Sequence, residues 1–82
     1  MKIENLSKNA LVIHTFGHGA YLVSYTSVIA YRDNTGKITL DARCWNYSAT
    51  TAKHRNLFLN ETTEQTQAKI DSGEYKLDDL NQ

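Results

Sequence analysis

The first half of the sequence is divided into short apolar segments by residues that favour tight turns. The segments are rich in β-branched and aromatic residues, and they are separated by Gly17–Gly19, by residues 26–27 and by Asp33–Gly36. Because such short connections join neighbouring strands in opposite directions, this pattern predicts an antiparallel meander. The four predicted strands cover residues 10–16, 20–25, 28–32 and 37–40.

The second half of the chain has the pattern of two short helices. Residues 49–59 predict the first helix, with Ser48 or Thr50 as its N-cap. Thr62 and Gln65 have the spacing of a capping box, which predicts the start of a second helix. The second helix has only a thin apolar stripe, so we expect it to lie on the surface.

The fold class that these patterns predict is α+β. Gly73 suits the position after the end of the second helix, and residues 74–78 predict a last short strand at a sheet edge. We therefore expect a small antiparallel β-sheet of four to five strands with two short helices. A chain of 82 residues is enough for a single small domain, which we place at residues 1–82.

Length and composition exclude several classes of protein. A chain of 82 residues is too short for a Rossmann, barrel or hydrolase scaffold. Cys44 is the only cysteine, which excludes an internal disulfide and any cysteine-based zinc site. The sequence has no run of about 18 apolar residues and no signal-peptide pattern at its start. We therefore expect no membrane interaction and a location in a reducing cytoplasm.

The formal net charge of zero conceals an asymmetry between two parts of the chain. Residues 1–60 have seven basic and three acidic side chains, a net charge of +4, whereas residues 61–82 have two basic and six acidic side chains, a net charge of −4. The acidic part predicts a partner-binding face that mimics phosphate towards a basic groove. Its candidate residues are Glu61, Glu64, Asp71, Glu74 and Asp78. The alternative is that these carboxylates only solubilise the protein or neutralise the basic part within the fold.

A second candidate surface combines cations with aromatic rings. Its residues are Arg43, Tyr47, Lys53 and Arg55. Rings stack on bases and cations hold phosphates, so this composition favours single-stranded nucleic acid. Three cations are few, however, and a net charge of zero is not typical of a nucleic-acid-binding domain. The alternative for Tyr47, and for the neighbouring Trp45, is packing in the core.

No set of residues in the sequence has the pattern of a catalytic or metal site. His14 and His18 are four residues apart, but a strand and a turn do not bring their rings together as a helix would. Cys44 and His54 are the residue types of a nucleophile and a base, but no oxyanion-binding or orienting motif accompanies them. We therefore expect no enzymatic activity and no cofactor.

Three segments resemble the pattern of a family of small uncharacterised proteins that bacteriophages and prophages encode. Ser24–Ala30 contains the SY…IA element, Trp45–Leu59 follows W-x-YS-x-TT-x-KH/R…FL, and Lys69–Tyr75 ends in I-x-SGEY. The similarity extends over most of the chain, from residue 10 to residue 77. No catalytic residues are established for this pattern, so the resemblance assigns none here.

The resemblance implies a phage accessory protein that acts in the cytoplasm of the host. Many such proteins are stoichiometric inhibitors of host machinery, including anti-CRISPR proteins. We therefore expect binding to a host protein or a host defence complex, with a small nucleic-acid-binding regulator as the alternative. We also expect a homodimer, because the core is small and the edges of the sheet need cover.

Overall fold

A computed structural model of the chain describes residues 2–81, which form one sheet and two helices. In chain order the elements are β1 (Lys2–Ser7), β2 (Ala10–Thr15), β3 (Gly19–Ser24), β4 (Ser27–Arg32), β5 (Ile38–Asp41), α1 (Ala49–Leu59), α2 (Thr63–Asp71) and β6 (Lys76–Asp78). The predicted α+β fold class is confirmed, but the sheet has six strands rather than four to five.

The strand that the sequence pattern does not predict is β1. Four of its six residues are polar, and the same number are exposed, so it lacks the alternation of a half-buried strand. It is the edge strand beside β2, where Ile3 lies opposite Ile13. Backbone hydrogen bonds to β2, more than buried side chains, hold it in the sheet.

The order of the strands in the sheet is their order in the sequence. Neighbours from β1 to β5 are antiparallel, whereas β6 runs parallel to β5. A parallel pair needs a connection that crosses the sheet, and residues 42–75, which include both helices, make this connection. The helices therefore cover one face of the sheet, where α1 packs against β1, β3 and β4.

The core lies between the helices and this face of the sheet. A buried row of direct neighbours crosses β2 to β5 and consists of Val12, Leu22, Ala30 and Leu40. Phe58 of α1 and Tyr75, just before β6, are buried in the same cluster. Trp45, Leu59 and Ile70 pack against the cluster while remaining partly exposed.

A bulge in β4 decides which side chains reach the core. Leu22 lies opposite Ala30 and Val23 lies opposite Val28, so β4 contains one residue, Ile29, without a direct partner. The extra residue lets Ile29 and Ala30 both face the helices, and both are buried. Val28 is turned to the other face of the sheet, next to Val23.

The predicted hairpin between β4 and β5 is confirmed. Arg32 lies opposite Ile38. The carboxylate of Asp33 accepts hydrogen bonds from the backbone N–H groups of Thr35 and Lys37, at 2.8 and 2.9 Å. This side chain therefore fixes the turn in the way that aspartate commonly does.

Both predicted helices form with predicted caps. The Ser48 hydroxyl accepts from the backbone N–H of Thr51, and α1 ends at Asn60, whose φ of 56° is left-handed. At the start of α2, the side chains of Thr62 and Gln65 each accept from the other's backbone N–H, which completes the capping box. Local sequence signals were sufficient for both helices.

Two side chains tie the last described residues to the sheet. The Asp41 carboxylate accepts from the backbone N–H groups of Cys44 and Leu80, both at 2.8 Å. The Asn81 amide exchanges two hydrogen bonds with the backbone of Val28, at 2.7 and 2.8 Å. Because β5 pairs only with the later part of β4, Asn81 takes the place of a strand residue beside Val28.

Arg55 is completely buried, with 0% of its surface exposed. Its guanidinium donates to the backbone carbonyl of Trp45 at 2.5 Å and to the Thr63 hydroxyl at 2.6 Å. It also donates to the side-chain carbonyls of Asn46 and Asn56, at 3.3 and 2.9 Å. One side chain thus joins the loop before α1, α1 itself and the start of α2.

We expect Arg55→Lys to lower the free energy of unfolding by about 1–3 kcal/mol, because an ammonium cannot reach all four acceptors and leaves some of them unpaired. Lys53→Arg is the matched control, since Lys53 is exposed on the same helix and should change stability by less than about 0.5 kcal/mol. Urea denaturation measures both variants. Equal stabilities for the two would show that the Arg55 network does not hold the helices together.

Candidate functional site

Glu61, the first residue of the predicted acidic face, is withdrawn from the surface. Its side chain is 5% exposed, and the Lys69 ammonium lies 2.7 Å from Oε2. The hydroxyls of Tyr75 and Thr66 donate to Oε1 at 2.6 and 3.0 Å. The Glu61 carboxylate therefore joins the middle and the last turn of α2 to Tyr75, and it is not available to a partner.

The environment of Glu61 changes several pKa values. Burial alone would raise the pKa of the Glu61 carboxyl, but hydrogen bonds from Lys69, Tyr75 and Thr66 outweigh it and hold this pKa below its ordinary value. The hydrogen bond to Glu61 raises the pKa of Lys69 to about 12. Burial and the same carboxylate raise the pKa of Tyr75. The cluster is thus an anion paired with a cation and a neutral phenol.

The other four acidic candidates are exposed, as an acidic binding face requires. Glu64 and Asp71 lie on α2, Glu74 lies in the following loop, and Asp78 lies at the end of β6. Asp71 accepts a hydrogen bond from the Gln67 amide at 2.9 Å. They belong to three different elements, and their role in binding stays a prediction.

The predicted basic and aromatic patch loses one of its three cations. Arg55 lies in the interior, because the face of α1 that bears Phe58 is also the face of Arg55. Arg43, Tyr47 and Lys53 are exposed, and Tyr47 is 77% exposed rather than packed in the core. Two free cations and one ring are a weaker nucleic-acid surface than the sequence suggested.

The histidine and cysteine side chains do not converge. His54 is buried, and its Nδ1 lies 2.8 Å from the Ser24 hydroxyl. Burial and the neighbouring Asp41 raise the pKa of the Cys44 thiol, which disfavours the nucleophilic thiolate. His14 instead lies 3.0 Å from the Glu4 carboxylate. Residues 2–81 contain no group of three or more histidine, cysteine or acidic side chains that could hold a metal ion.

The sheet face opposite the helices is a surface that the sequence analysis missed. We call it the open face, because neither α1 nor α2 packs on it within residues 2–81. Its apolar side chains are Ile3, which is 59% exposed, and six that are half-buried, namely Leu11, Ile13, Tyr21, Val23, Val28 and Tyr31. The polar residues Asn5, Thr15 and Thr39 share this face, and Lys76 lies at its β6 end. All seven are uncharged and apolar or aromatic, which is typical of an interaction surface.

The centre of the open face is a tyrosine pair. Tyr21 and Tyr31 are direct neighbours on β3 and β4, and their ring centroids are 4.6 Å apart. Ile13 continues the same row on β2, opposite Tyr21. Partial burial raises the pKa of the Tyr31 phenol, with Tyr21 and Asp33 contributing. The phenol is therefore neutral at physiological pH, and the row has no formal charge.

Phe16 lies in the turn at one end of this face. It is 86% exposed, the highest value among the large apolar side chains. Side chains from neighbouring strands and turns hold this turn: the Tyr31 hydroxyl donates to the His18 carbonyl, and the Asn34 amide donates to the Gly17 carbonyl. An exposed phenylalanine on a braced turn is the kind of anchor that fills a pocket on a partner.

A signal for the open face was present in the sequence. The segment from Ala10 to Phe16 is apolar at five of its seven positions, and its run of four apolar residues places apolar side chains on both faces of β2. Such runs are typical of strands that are covered on both faces. The two predicted helices are too few to cover both faces, and this comparison would have identified an uncovered apolar face.

The comparisons with known proteins give a family but no function. A family model described as a family of unknown function (DUF8033) matches residues 2–74. This match spans most of the chain, and the chain therefore belongs to that family. Searches of curated proteins and of solved structures gave no significant match. No helix among the described residues has the length and apolar character needed to span a membrane.

The lowered pKa of Glu61 predicts a contribution to acid stability. A carboxyl whose pKa is below its ordinary value of 4.5 in the folded state stabilises the fold above pH 4.5, and this contribution is lost as the pH falls through the folded-state pKa. We expect the unfolding free energy of the wild type to fall more steeply below about pH 5 than that of Glu61→Gln. Urea denaturation at a series of pH values measures both slopes.

The control for this experiment is Glu64→Gln, which removes an exposed carboxylate from the same helix. It should keep the wild-type slope, because all three carboxyls with lowered pKa values, those of Glu61, Asp33 and Asp41, remain in this variant. Identical slopes for wild type and Glu61→Gln would contradict the role assigned to Glu61.

Proposed function

We propose that this member of the DUF8033 family acts by binding another protein stoichiometrically, through the open face of its sheet and the neighbouring Phe16. The observation that supports this proposal is a cluster of seven apolar and aromatic side chains on a sheet face that no helix covers. The largest contiguous apolar patch on a protein surface often has a function in binding. A partner surface of apolar and aromatic character would bury it.

The size of the open face supports a small interface. Four strands at ~4.8 Å spacing and six residues at ~3.4 Å each give a projected area of roughly 400 Å². A standard interface buries about 800 Å² on each partner, so the face alone supplies about half of that area. The adjoining turn with Phe16 adds an anchor at its end, and we therefore include this turn in the proposed surface.

The proposed partner is a host protein, and the proposed place is the host cytoplasm. The basis is the sequence resemblance to small phage and prophage proteins, many of which inhibit host machinery by occluding a surface. Inhibition of a host defence complex, in the manner of an anti-CRISPR protein, is the most specific form of this proposal. The complementary patch on the partner is then apolar, in contrast to the basic groove that an acidic face would require.

The acidic face and the nucleic-acid surface remain weaker proposals. One of five acidic candidates and one of three cations lie in the interior. Both proposals depend on exposed charges, and binding would weaken steeply with added salt. Binding through the open face should change little between about 50 and 500 mM salt, since apolar burial is not screened.

We expect Phe16→Ser with Ile3→Ser to weaken capture of the partner from host lysate at least tenfold, since hot-spot side chains contribute about 2 kcal/mol or more. Both side chains are more than half exposed, so the fold should tolerate the changes. The matched control is Leu57→Ser, which removes an apolar side chain that is 50% exposed on α1. Pull-down from nuclease-treated lysate, quantified by mass spectrometry, measures the three proteins.

Capture that survives Phe16→Ser with Ile3→Ser but is lost in Glu64→Lys with Asp71→Lys would contradict this proposal and favour the acidic face. Capture that occurs only in lysate without nuclease treatment, and that is lost in Lys53→Glu with Arg43→Glu, would favour nucleic acid.

A second copy of the chain is the other occupant to be tested. We predict a homodimer on the grounds of small core size and uncovered sheet. Light scattering at micromolar concentration distinguishes the monomer of 9.3 kDa from a species of twice that mass. If the wild type is a dimer and Phe16→Ser with Ile3→Ser is a monomer, the open face is the surface of self-association. A mass of 9.3 kDa would contradict the homodimer and leave the face to another partner.

A further inference from the structure

A pocket of about 360 Å³ lies between the β3–β4 turn and the start of α1. Residues 24–27 form one wall, Tyr47, Ser48 and Thr51 form the other, and Ile29 and Cys44 add apolar contacts. The volume is within the range of about 300–1,000 Å³ that is usual for small-molecule sites. The pocket lies at the end of β3 opposite to the Phe16 turn, so it is separate from the surface proposed for protein binding.

The lining of the pocket is uncharged and rich in hydroxyl groups. Seven of its nine residues are serine, threonine or tyrosine, and none is a charged residue. Hydroxyl groups can donate or accept hydrogen bonds, so they suit a ligand that presents both kinds of group. The absence of a cation from this lining disfavours a phosphate group. The ligand is therefore expected to be neutral.

The hydroxyl groups are held in place by a buried network. The Ser24 hydroxyl lies 2.8 Å from Nδ1 of His54 and 3.5 Å from the Thr51 hydroxyl. The Ser48 hydroxyl donates to Thr51 at 3.2 Å. Ser24, Thr51 and His54 are each at most 3% exposed. The side chains of His54, Ser24, Thr51 and Ser48 thus form a continuous series of polar groups from the interior to the pocket. Because their positions are fixed before a ligand arrives, binding costs less conformational entropy.

Two tyrosines give the pocket exposed aromatic rings. Tyr25 is 56% and Tyr47 is 77% exposed, although each belongs to the pocket lining. Tyr25 has a φ of 57°, in a left-handed region that bulky residues rarely adopt. Its backbone N–H donates to the Asn9 carbonyl at 2.7 Å, which holds it there. Backbone strain at a ligand-sized pocket is typical of a site where the side chain is needed for function.

We propose that this pocket binds a nucleoside, whose base contacts the rings of Tyr47 and Tyr25 and whose polar edge meets the hydroxyl groups of Ser27 and Ser48. A base has a flat aromatic surface and an edge of donors and acceptors, which are the two features that this lining complements. A nucleotide is a poorer fit, because its phosphate would face an uncharged wall.

The test is a titration of isotopically labelled protein with adenosine, guanosine, cytidine and uridine, followed by NMR. We expect at least one of them to shift the amide signals of residues 24–27 and 47–51. Tyr47→Ala should weaken that binding about tenfold, in line with the measured cost of losing one stacking ring. Phe16→Ser is the control, because it disturbs the proposed protein-binding surface and should leave nucleoside binding unchanged.

A second variant tests the strain at Tyr25. Glycine adopts a positive φ without steric cost, so Tyr25→Gly should raise the Tm while it weakens nucleoside binding. Asn60→Gly, at a φ of 56° far from the pocket in sequence, should leave nucleoside binding unchanged. A lower Tm for Tyr25→Gly would show that the fold itself needs Tyr25, and would overturn the functional explanation of the strain.

Three other results would overturn the proposal. The first is that no nucleoside shifts the amide signals at millimolar concentration. The second is that wild type and Tyr47→Ala bind nucleosides equally well. The third is that methyl glucoside, which has hydroxyl groups but no base, binds as well as a nucleoside. A further result would be that an oligouridine binds more tightly than uridine and that its affinity falls steeply with added salt. This result would show that the pocket binds a base within a nucleic-acid strand, and it would overturn the proposal of a free nucleoside.

Discussion

Two short helices can cover only one face of a six-stranded sheet, and most features of this protein follow from that limit. At ~1.5 Å per residue, α1 and α2 are about 16 and 14 Å long, which matches the width of a few strands. Both belong to the single crossover between β5 and β6, so both lie on the same side. The opposite side keeps its apolar side chains in contact with water, and it is the surface on which a function by binding is most readily built.

The covered side compensates for its small size with buried polar networks. Arg55 binds four neutral acceptors, Glu61 binds Lys69 and two hydroxyl groups, and Ser24 is paired with His54. The Arg55 and Glu61 networks join neighbouring segments around the helices, and the Ser24–His54 pair joins α1 to β3 across 30 residues of sequence. Helices with so few apolar side chains are not positioned by packing alone. The specificity of the helix positions therefore depends on hydrogen-bond geometry as much as on packing.

Features encoded locally were predictable, and features that depend on tertiary contacts were not. The caps at Ser48 and Thr62 and the Asp33 turn follow from the side chains next to them. The strand β1 was missed because its stability comes from pairing with β2, which its own sequence does not encode. Burial of Arg55 and Glu61 could not be inferred from charge, since both appear in sequence as ordinary surface residues. The open face needed a count of helices against sheet faces, a global property that residue-by-residue patterns do not contain.

The parallel pairing of β5 and β6 has a consequence for the order of folding. The five antiparallel strands are joined by short turns, so their contacts form between residues that are close in sequence and cost little chain entropy. Strand β6 can pair only after residues 42–75 have closed a long loop and formed both helices. We therefore expect the meander to form early and the final strand to dock last. Before the helices dock, the face that they later cover is also exposed to solvent. The sheet is then apolar on both faces, and this intermediate is the species most prone to aggregate.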